Sequence, residues 1–183
     1  HNWLEKPYTL TVGSELFLPN GELPEVKKPV YASSPSLYRT SSIAYTSTAV
    51  DPNVGKFLSW PVGGASAISR GFFPGHYGID IYPTGGKRPN VIAASGGRVI
   101  SAGWGSGKYY GFGYYAHVDH GNGYTTLYAH MNKLYVRAGQ SVSRGTAIGL
   151  IGDTGVAYGV HVHFELRRGA ELSGRINPRP YMK

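Results

Sequence analysis

The sequence predicts an all-β domain: a compact antiparallel sandwich or barrel-like unit with an N-terminal extended arm. Three observations point there. Glycine supplies 27 of the 183 residues, about twice its usual ~7% share. Together with 12 Pro and 15 Tyr, that suits short strands joined by tight turns, because glycine accepts positive φ at little cost. From Phe57 onward, short β-branched and aromatic runs recur between Gly pairs and Pro. Helical periodicity is nearly absent, and at most Met131–Leu134 makes one turn.

The chain is expected to fall into three parts. Residues 1–30 hold a short apolar pattern ending in Leu16-Phe17-Leu18-Pro19-Asn20-Gly21. Residues 31–56 are rich in Ser and Thr, with little periodicity, and read as a linker or arm. Residues 57–183 carry the β-domain. Strands are expected at Gly78–Tyr82, Val91–Ala94, Gly97–Ala102, Gly113–Asp119, Tyr124–His130, Gly145–Ile151 and His161–Arg167. His120-Gly121-Asn122-Gly123 contains an Asn-Gly step between two alternating runs, a strong hairpin signal. No internal repeat of useful length is present.

Composition narrows the chemistry. Formal net charge is +8 and the chain has no cysteine. Disulfides, thiolate zinc sites and cysteine nucleophiles are therefore excluded. No run approaches the ~20 apolar residues that span a bilayer, so no transmembrane segment is expected. His1-Asn2-Trp3 lacks Met and a basic segment followed by an apolar run, so the chain reads as trimmed. The basic balance implies an anionic partner. Lys and Arg are scattered and no nucleic-acid module is present, so nucleic acid is not expected. Ser95–Val99 and Val136–Gly145 resemble hairpins of lipoyl-type carrier barrels, but the Asn-Gly turn carries no lysine for modification.

Seven histidines are present, and their placement matters more than their number. His76 and Asp80 are four apart in an extended segment, so both point to one side of a strand. His161 and His163 are two apart and again share a face, with Val162 and Phe164 turned to the core. One strand pair can thus offer His, Asp and His to a single ion. Three N/O ligands plus water is the open arrangement of catalytic zinc. Calcium and magnesium want oxygen ligands and fit this set poorly. His130, in Thr126-Leu127-Tyr128-Ala129-His130, is expected to share a strand face with Tyr128 and Thr126 and to stand beside the ion as a non-ligand.

The segments Gly75-His76-Tyr77-Gly78-Ile79-Asp80, Leu127-Tyr128-Ala129-His130 and Gly159-Val160-His161-Val162-His163-Phe164-Glu165-Leu166 resemble lysostaphin/LytM-type zinc endopeptidases, which cleave peptide bonds in bacterial peptidoglycan. The likeness spans roughly Ser59 to Pro180 and includes the turns at 118–124 and 142–145. The family commonly has Pro where Val160 stands; the difference changes backbone stiffness and removes no ligand. The resemblance implies one zinc bound by His76, Asp80 and His163, with His130 and His161 as the non-ligand catalytic pair. It implies a zinc-dependent endopeptidase acting on peptidoglycan stem peptides or cross-bridges, outside the membrane or in the cell envelope. Some relatives have lost ligands and serve as adaptors, so a metal-free wall-binding protein of the same fold is the alternative. The chain is expected to be a monomer and to be drawn to anionic wall polymers by its charge. Pro7–Pro19 further resembles the closing half of a LysM glycan-binding module.

No His-Glu-x-x-His helix supplies a glutamate base, so a histidine must move the proton. Which of His130 and His161 is the base stays open at this point. Glu165 shares a strand face with His163, and a salt-bridged or solvated carboxylate is favoured over a role orienting the ligand. His117 is ambiguous, a strand histidine for which simple packing is one reading, and His120 reads as a structural or exposed turn residue. Tyr109, Tyr110 and Phe112 sit in a Gly-aromatic loop suited to lining a substrate groove.

Overall fold

The structure is a computed structural model and describes residues 55–183. The expected arm, its LysM-like segment and nearly all of the linker lie outside those residues. Among the described residues there is no α-helix; three short 3-10 turns occur at Gly107–Tyr109, Leu172–Gly174 and Arg179–Tyr181. The strands are β1 (Ser66–Arg70), β2 (Ile79–Pro83), β3 (Asn90–Ile92), β4 (Gly97–Trp104), β5 (Tyr114–Asp119), β6 (Tyr124–Met131), β7 (Lys133–Leu134), β8 (Ser141–Val142), β9 (Ala147–Leu150), β10 (Val162–Arg168) and β11 (Arg175–Ile176). A large antiparallel sheet runs β1-β2-β10-β6-β5-β4-β8, with β11 added on β10, and a small sheet runs β3-β9-β7.

Register decides which side chains meet. His163 lies directly opposite Asp80 across β10 and β2, and opposite Ala129 across β10 and β6. One face of β10 carries Val162, Phe164 and Leu166, all fully buried. They join Ile79, Ile81, Tyr128, Val118 and, from the small sheet, Val91 and Ile148 in one core. Burying each aliphatic or Phe side chain contributes roughly 1.5–3 kcal/mol, so this face holds the two sheets together. Tyr128 joins the core with its polar end satisfied: the hydroxyl accepts from Ala94 N at 2.8 Å and from Thr126 Oγ1 at 2.9 Å. Burial pushes that phenol up to about 12.

The opposite face of β10 presents His163, Glu165 and Arg167, also buried. The loop between β4 and β5 covers part of this second face, packing Tyr109 and Phe112 on Tyr115, Leu127 and Ala129. The large sheet is therefore apolar on one side and polar but enclosed on the other, which is where the chemistry-bearing groups collect.

Three expectations need correction. Met131–Leu134 forms no helical turn; Met131 closes β6, and Lys133–Leu134 pairs with β9. The free edge of β9 satisfies that backbone better than an isolated turn, whose nucleation is unfavourable. Strand β1, Ser-Ala-Ile-Ser-Arg, carries weak strand signals and was not expected; pairing with β2 imposes it. His161 lies outside β10, held by an isolated bridge in which its N–H donates to Gly152 O at 2.9 Å.

Candidate metal centre

His76 enters the site from a tight turn just before β2. Its backbone and that of Phe73 exchange hydrogen bonds of 2.8 and 3.0 Å, and Gly75 takes the left-handed φ of 92° that closes the turn. The ring donates from Nδ1 to Gly71 O at 2.6 Å. That fixes the tautomer and leaves Nε2 as a bare lone pair. Nε2 is buried without a hydrogen bond among the described residues, 3.0 Å from Asp80 Oδ1.

Asp80 and His163 meet because β2 and β10 are in register. His163 Nδ1 lies 2.8 Å from the same Oδ1. Its other nitrogen, Nε2, lies 3.2 Å from Glu165 Oε1 and donates there. Glu165 is buried and is held in turn by Arg167, whose Nε donates to Oε2 at 2.6 Å. The carboxylate that the sequence suggested was a plain ion-pair member therefore does both jobs: it pairs with Arg167 and orients His163. Burial works against its charge, but the hydrogen bond from His163 and the Arg167 guanidinium hold its carboxyl below the usual range.

His76, Asp80 and His163 bring one ligand atom each within 4.8 Å of one another. With the two imidazole tautomers set from outside, three acceptors point inward. Acceptors at such distances repel unless positive charge lies between them. A proton on His163 is one such charge: burial disfavours it, but hydrogen bonds to Asp80 and Glu165 prevail and raise that ring's pKa. Burial likewise works against ionised Asp80, and the His163 hydrogen bond with the surrounding imidazoles lowers its pKa nonetheless. A divalent cation is the other candidate, and the donor chemistry fits zinc: two imidazole nitrogens and one carboxylate, with outward hydrogen bonds that stiffen each imidazole.

Gly78 is what lets His163 in. A β-carbon at Gly78 would lie 2.6 Å from His163 Cε1, 2.7 Å from Nε2 and 2.8 Å from Phe164 O. We therefore expect Gly78→Ala to displace the His163 ring and to press on the β10 backbone at Phe164 O. Overpacking of this kind costs about 1–3 kcal/mol. The check is zinc affinity measured against a competing chelator; unchanged affinity would show that the ring had room to move.

His130 corrects a sequence expectation in an informative way. Regular alternation would place it on the core side with Tyr128 and Thr126. Its φ is 61°, the left-handed value among the non-glycine described residues. That single residue out of the strand conformation turns the ring to the opposite side, 4.7 Å from His161 and 6.1 Å from His163 by ring centroids. Such backbone conformations cost energy and persist where surroundings impose them. Here Phe112 O receives the His130 N–H at 2.8 Å and Thr154 O accepts from Nδ1 at 2.8 Å. Burial pushes the imidazole down to about 4, so it is neutral at neutral pH with a free lone pair on Nε2. His161 is arranged alike: Nδ1 donates to Gly159 O at 2.9 Å, and Nε2 lies 3.8 Å from Asp80 Oδ1.

All five side chains line one groove of about 760 Å³. Its lips come from two loops locked together by glycines. A β-carbon on Gly113 would lie 2.4 Å from Thr154 C, and one on Gly155 would lie 2.4 Å from Gly111 O and Gly113 N. Val156 N donates to Gly111 O at 2.8 Å across the same seam. Tyr110 and Phe112 line the groove as expected, but Tyr109 does not. It stacks on Tyr115 at 4.3 Å and its hydroxyl lies 3.1 Å from His117 Nδ1. His117 is buried between that hydroxyl and Thr125 Oγ1, and burial pushes it down to about 3. It is packed, one of the readings its sequence position left open. His120 is half-buried, with Nδ1 donating to Gly96 O at 2.8 Å. Tyr158, fully exposed, and Val156 also line the groove; the sequence gives no signal for them beyond their position just before the His161 segment.

An antiparallel β-domain with this histidine–carboxylate cluster at the floor of a groove defines a β-sheet protein with a candidate metal centre. Residues 74–178 match the model of peptidase family M23, and the chain belongs to that family. It is 52% identical over 54 residues to the peptidoglycan DD-endopeptidase ShyA of Vibrio cholerae, covering 30% of this chain and 13% of that protein. It is 33% identical over 124 residues to the murein hydrolase activator NlpD of Escherichia coli, covering 67% of this chain and 30% of that one. The chain thus spans less than a third of the length of either relative. Among solved structures it is similar to the antimicrobial peptidase lysostaphin from Staphylococcus simulans. The TM-score is 0.56 at 28% identity, over 64% of this chain and 48% of that one.

Proposed function

We propose that this chain is a zinc-dependent endopeptidase that hydrolyses peptide bonds in the stem peptides or cross-bridges of bacterial peptidoglycan, outside the membrane or in the cell envelope. The observation that carries this reading is the buried Nε2 of His76, without a hydrogen bond among the described residues and aimed with His163 Nδ1 at one carboxylate oxygen. His76, Asp80 and His163 would hold the ion. Zinc, when bound, supplies Lewis acidity that polarises a carbonyl and lowers the pKa of water toward ~7.

The chain's own groups do the rest. His130 is neutral and its Nδ1–H is already given to Thr154 O, so its Nε2 takes the proton of the attacking water. That proton later passes to the leaving amine. His161, its Nδ1 likewise given away, can donate from Nε2 only as imidazolium. In that form it stabilises the developing oxyanion. Tyr110 and Tyr158 flank the groove and hold an extended peptide across it. ShyA and lysostaphin support this reading by their named activities.

NlpD, named as an activator, favours the second reading of a metal-free wall-binding adaptor. The complete ligand set favours the enzyme. A monomer with its +8 charge would be drawn to anionic wall polymers, an attraction that weakens with added salt. The test is mass analysis of muropeptides after digestion of walls with different cross-bridges, before chelation, after it, and after zinc is restored. We expect new termini at one class of peptide bond, lost on chelation and regained with zinc. Activity that survives thorough metal removal would defeat the mechanism, and wall binding with no cleavage and no zinc would establish the adaptor.

A further inference from the structure

We propose that Arg70 reads a free carboxylate on the substrate next to the scissile bond, so that the groove prefers peptides acidic at that place over neutral ones. The inference deepens the hydrolase reading and rests on it only for which bond is cut.

The starting observation is a break in the β1–β2 ladder. Ile68 pairs with Ile81, and the next pair is Arg70 with Asp80, so Ser69 is an extra residue on β1. In unbroken register Ser69 would face Asp80. The bulge makes Arg70 the register partner of Asp80, a member of the candidate metal centre, and both Ser69 and Arg70 line the groove. Bulges beside functional sites characteristically re-aim a side chain in this way.

The surroundings of Arg70 leave its charge unused. It is exposed and lines the groove, and it is the one Lys or Arg among the lining residues described. No carboxylate among the described residues pairs with it. Asp80 does not, although it is the cross-strand neighbour; that carboxylate is occupied by three imidazoles. What Arg70 does have is a ring to rest on: the guanidinium carbon lies 5.3 Å from the Phe73 centroid, and Phe73 packs at 5.4 Å on His76. The aromatic face holds the guanidinium without consuming its hydrogen-bond donors.

A cation placed beside a cation-binding cluster weakens that cluster unless an anion comes between them. A substrate carboxylate is such an anion, and a planar guanidinium matches it with two parallel hydrogen bonds. Opposed residues in an antiparallel pair are about 4.5–5.5 Å apart, and an extended peptide advances ~3.3 Å per residue. The carboxylate thus belongs to a residue one or two places from the bond held over Asp80 and His163.

The test uses the full chain and two cross-linked peptide dimers, identical except that the carboxylate flanking the scissile bond is free in one and amidated in the other. Both kcat/KM and Kd are measured for the wild type, Arg70→Gln and Arg70→Lys. The wild type should favour the free acid by about 10- to 100-fold, the range of one charged hydrogen-bonded contact. Arg70→Gln should bring the ratio near one, and Arg70→Lys should keep part of it. A wild-type ratio of one, or a ratio unchanged in Arg70→Gln, overturns the proposal and would leave Arg70 as a prop for Phe73. Arg70-dependent binding of the free acid without cleavage would uphold the proposal and sink the hydrolase reading. Equal cleavage of both dimers would do the reverse, and a protein that neither binds nor cuts either dimer loses both.

Discussion

His130→Ala is expected to keep one zinc per chain while turnover falls by 10²- to 10⁴-fold, the usual contribution of a positioned acid–base group. The ring makes no contact with Asp80 Oδ1, whereas His76, His161 and His163 do. Its hydrogen bonds run instead to the Thr154 and Phe112 segments. Removing it therefore leaves the ligand atoms where they are. The alanine also inherits a left-handed φ of 61°, which a β-carbon resists. His130→Asn separates the two effects, because Asn tolerates that conformation and has no basic nitrogen. It should be as inactive as the alanine variant and more stable. A pH profile gives a second reading. Burial holds His130 near 4 rather than 6.5, so the base stays unprotonated down to that range. Activity should decline on acidification well below pH 6.5, and that limb should vanish with the residual activity of His130→Asn. Full turnover in either variant would remove His130 from the mechanism.

The same residue shows how far a one-dimensional reading reaches. Alternation along a strand is a strong rule, and it placed His163 and Glu165 on one face of β10 and Val162 and Phe164 on the other, as observed. His76 also lies beside Asp80, but it gets there from the turn before β2 and not by alternation along a strand. Cross-strand register is a different matter: that His163 faces Asp80 depends on how β2 and β10 slide past each other, and local spacing does not contain it. The resemblance to a family supplied that link. His130 reached the groove only by breaking the alternation, a backbone event invisible to periodicity. For Glu165 the spacing left an ion pair and a role orienting His163 both open, and the structure shows the two together. Ser69 shows the same limit. A one-residue bulge decides whether a serine or an arginine stands opposite Asp80, and Ser-Ala-Ile-Ser-Arg does not announce it.

Asp80→Asn is expected to abolish tight zinc binding and with it all activity, while the fold persists. The neighbours Ile79 and Ile81 anchor β2 in the core whatever stands at 80, and the amide has the carboxylate's shape. What it lacks is the one anion at the point where His76 Nε2 and His163 Nδ1 converge, 3.0 and 2.8 Å away. Two neutral imidazoles and an amide oxygen leave a dication poorly compensated at a buried place. Thermal unfolding with and without zinc provides a readout free of turnover. A ligand that binds only the folded state stabilises it by about 2.7 kcal/mol at a hundredfold excess over Kd. The wild type should show that rise in Tm and Asp80→Asn should not. The comparison also separates the two charges able to satisfy the cluster. If the site merely stored a proton between His163 and Asp80, zinc would leave the wild-type Tm unmoved, and Asp80→Asn would simply melt earlier in its presence and absence alike. A zinc-dependent rise carried by Asp80 belongs to a metal centre and to nothing else the three side chains can form.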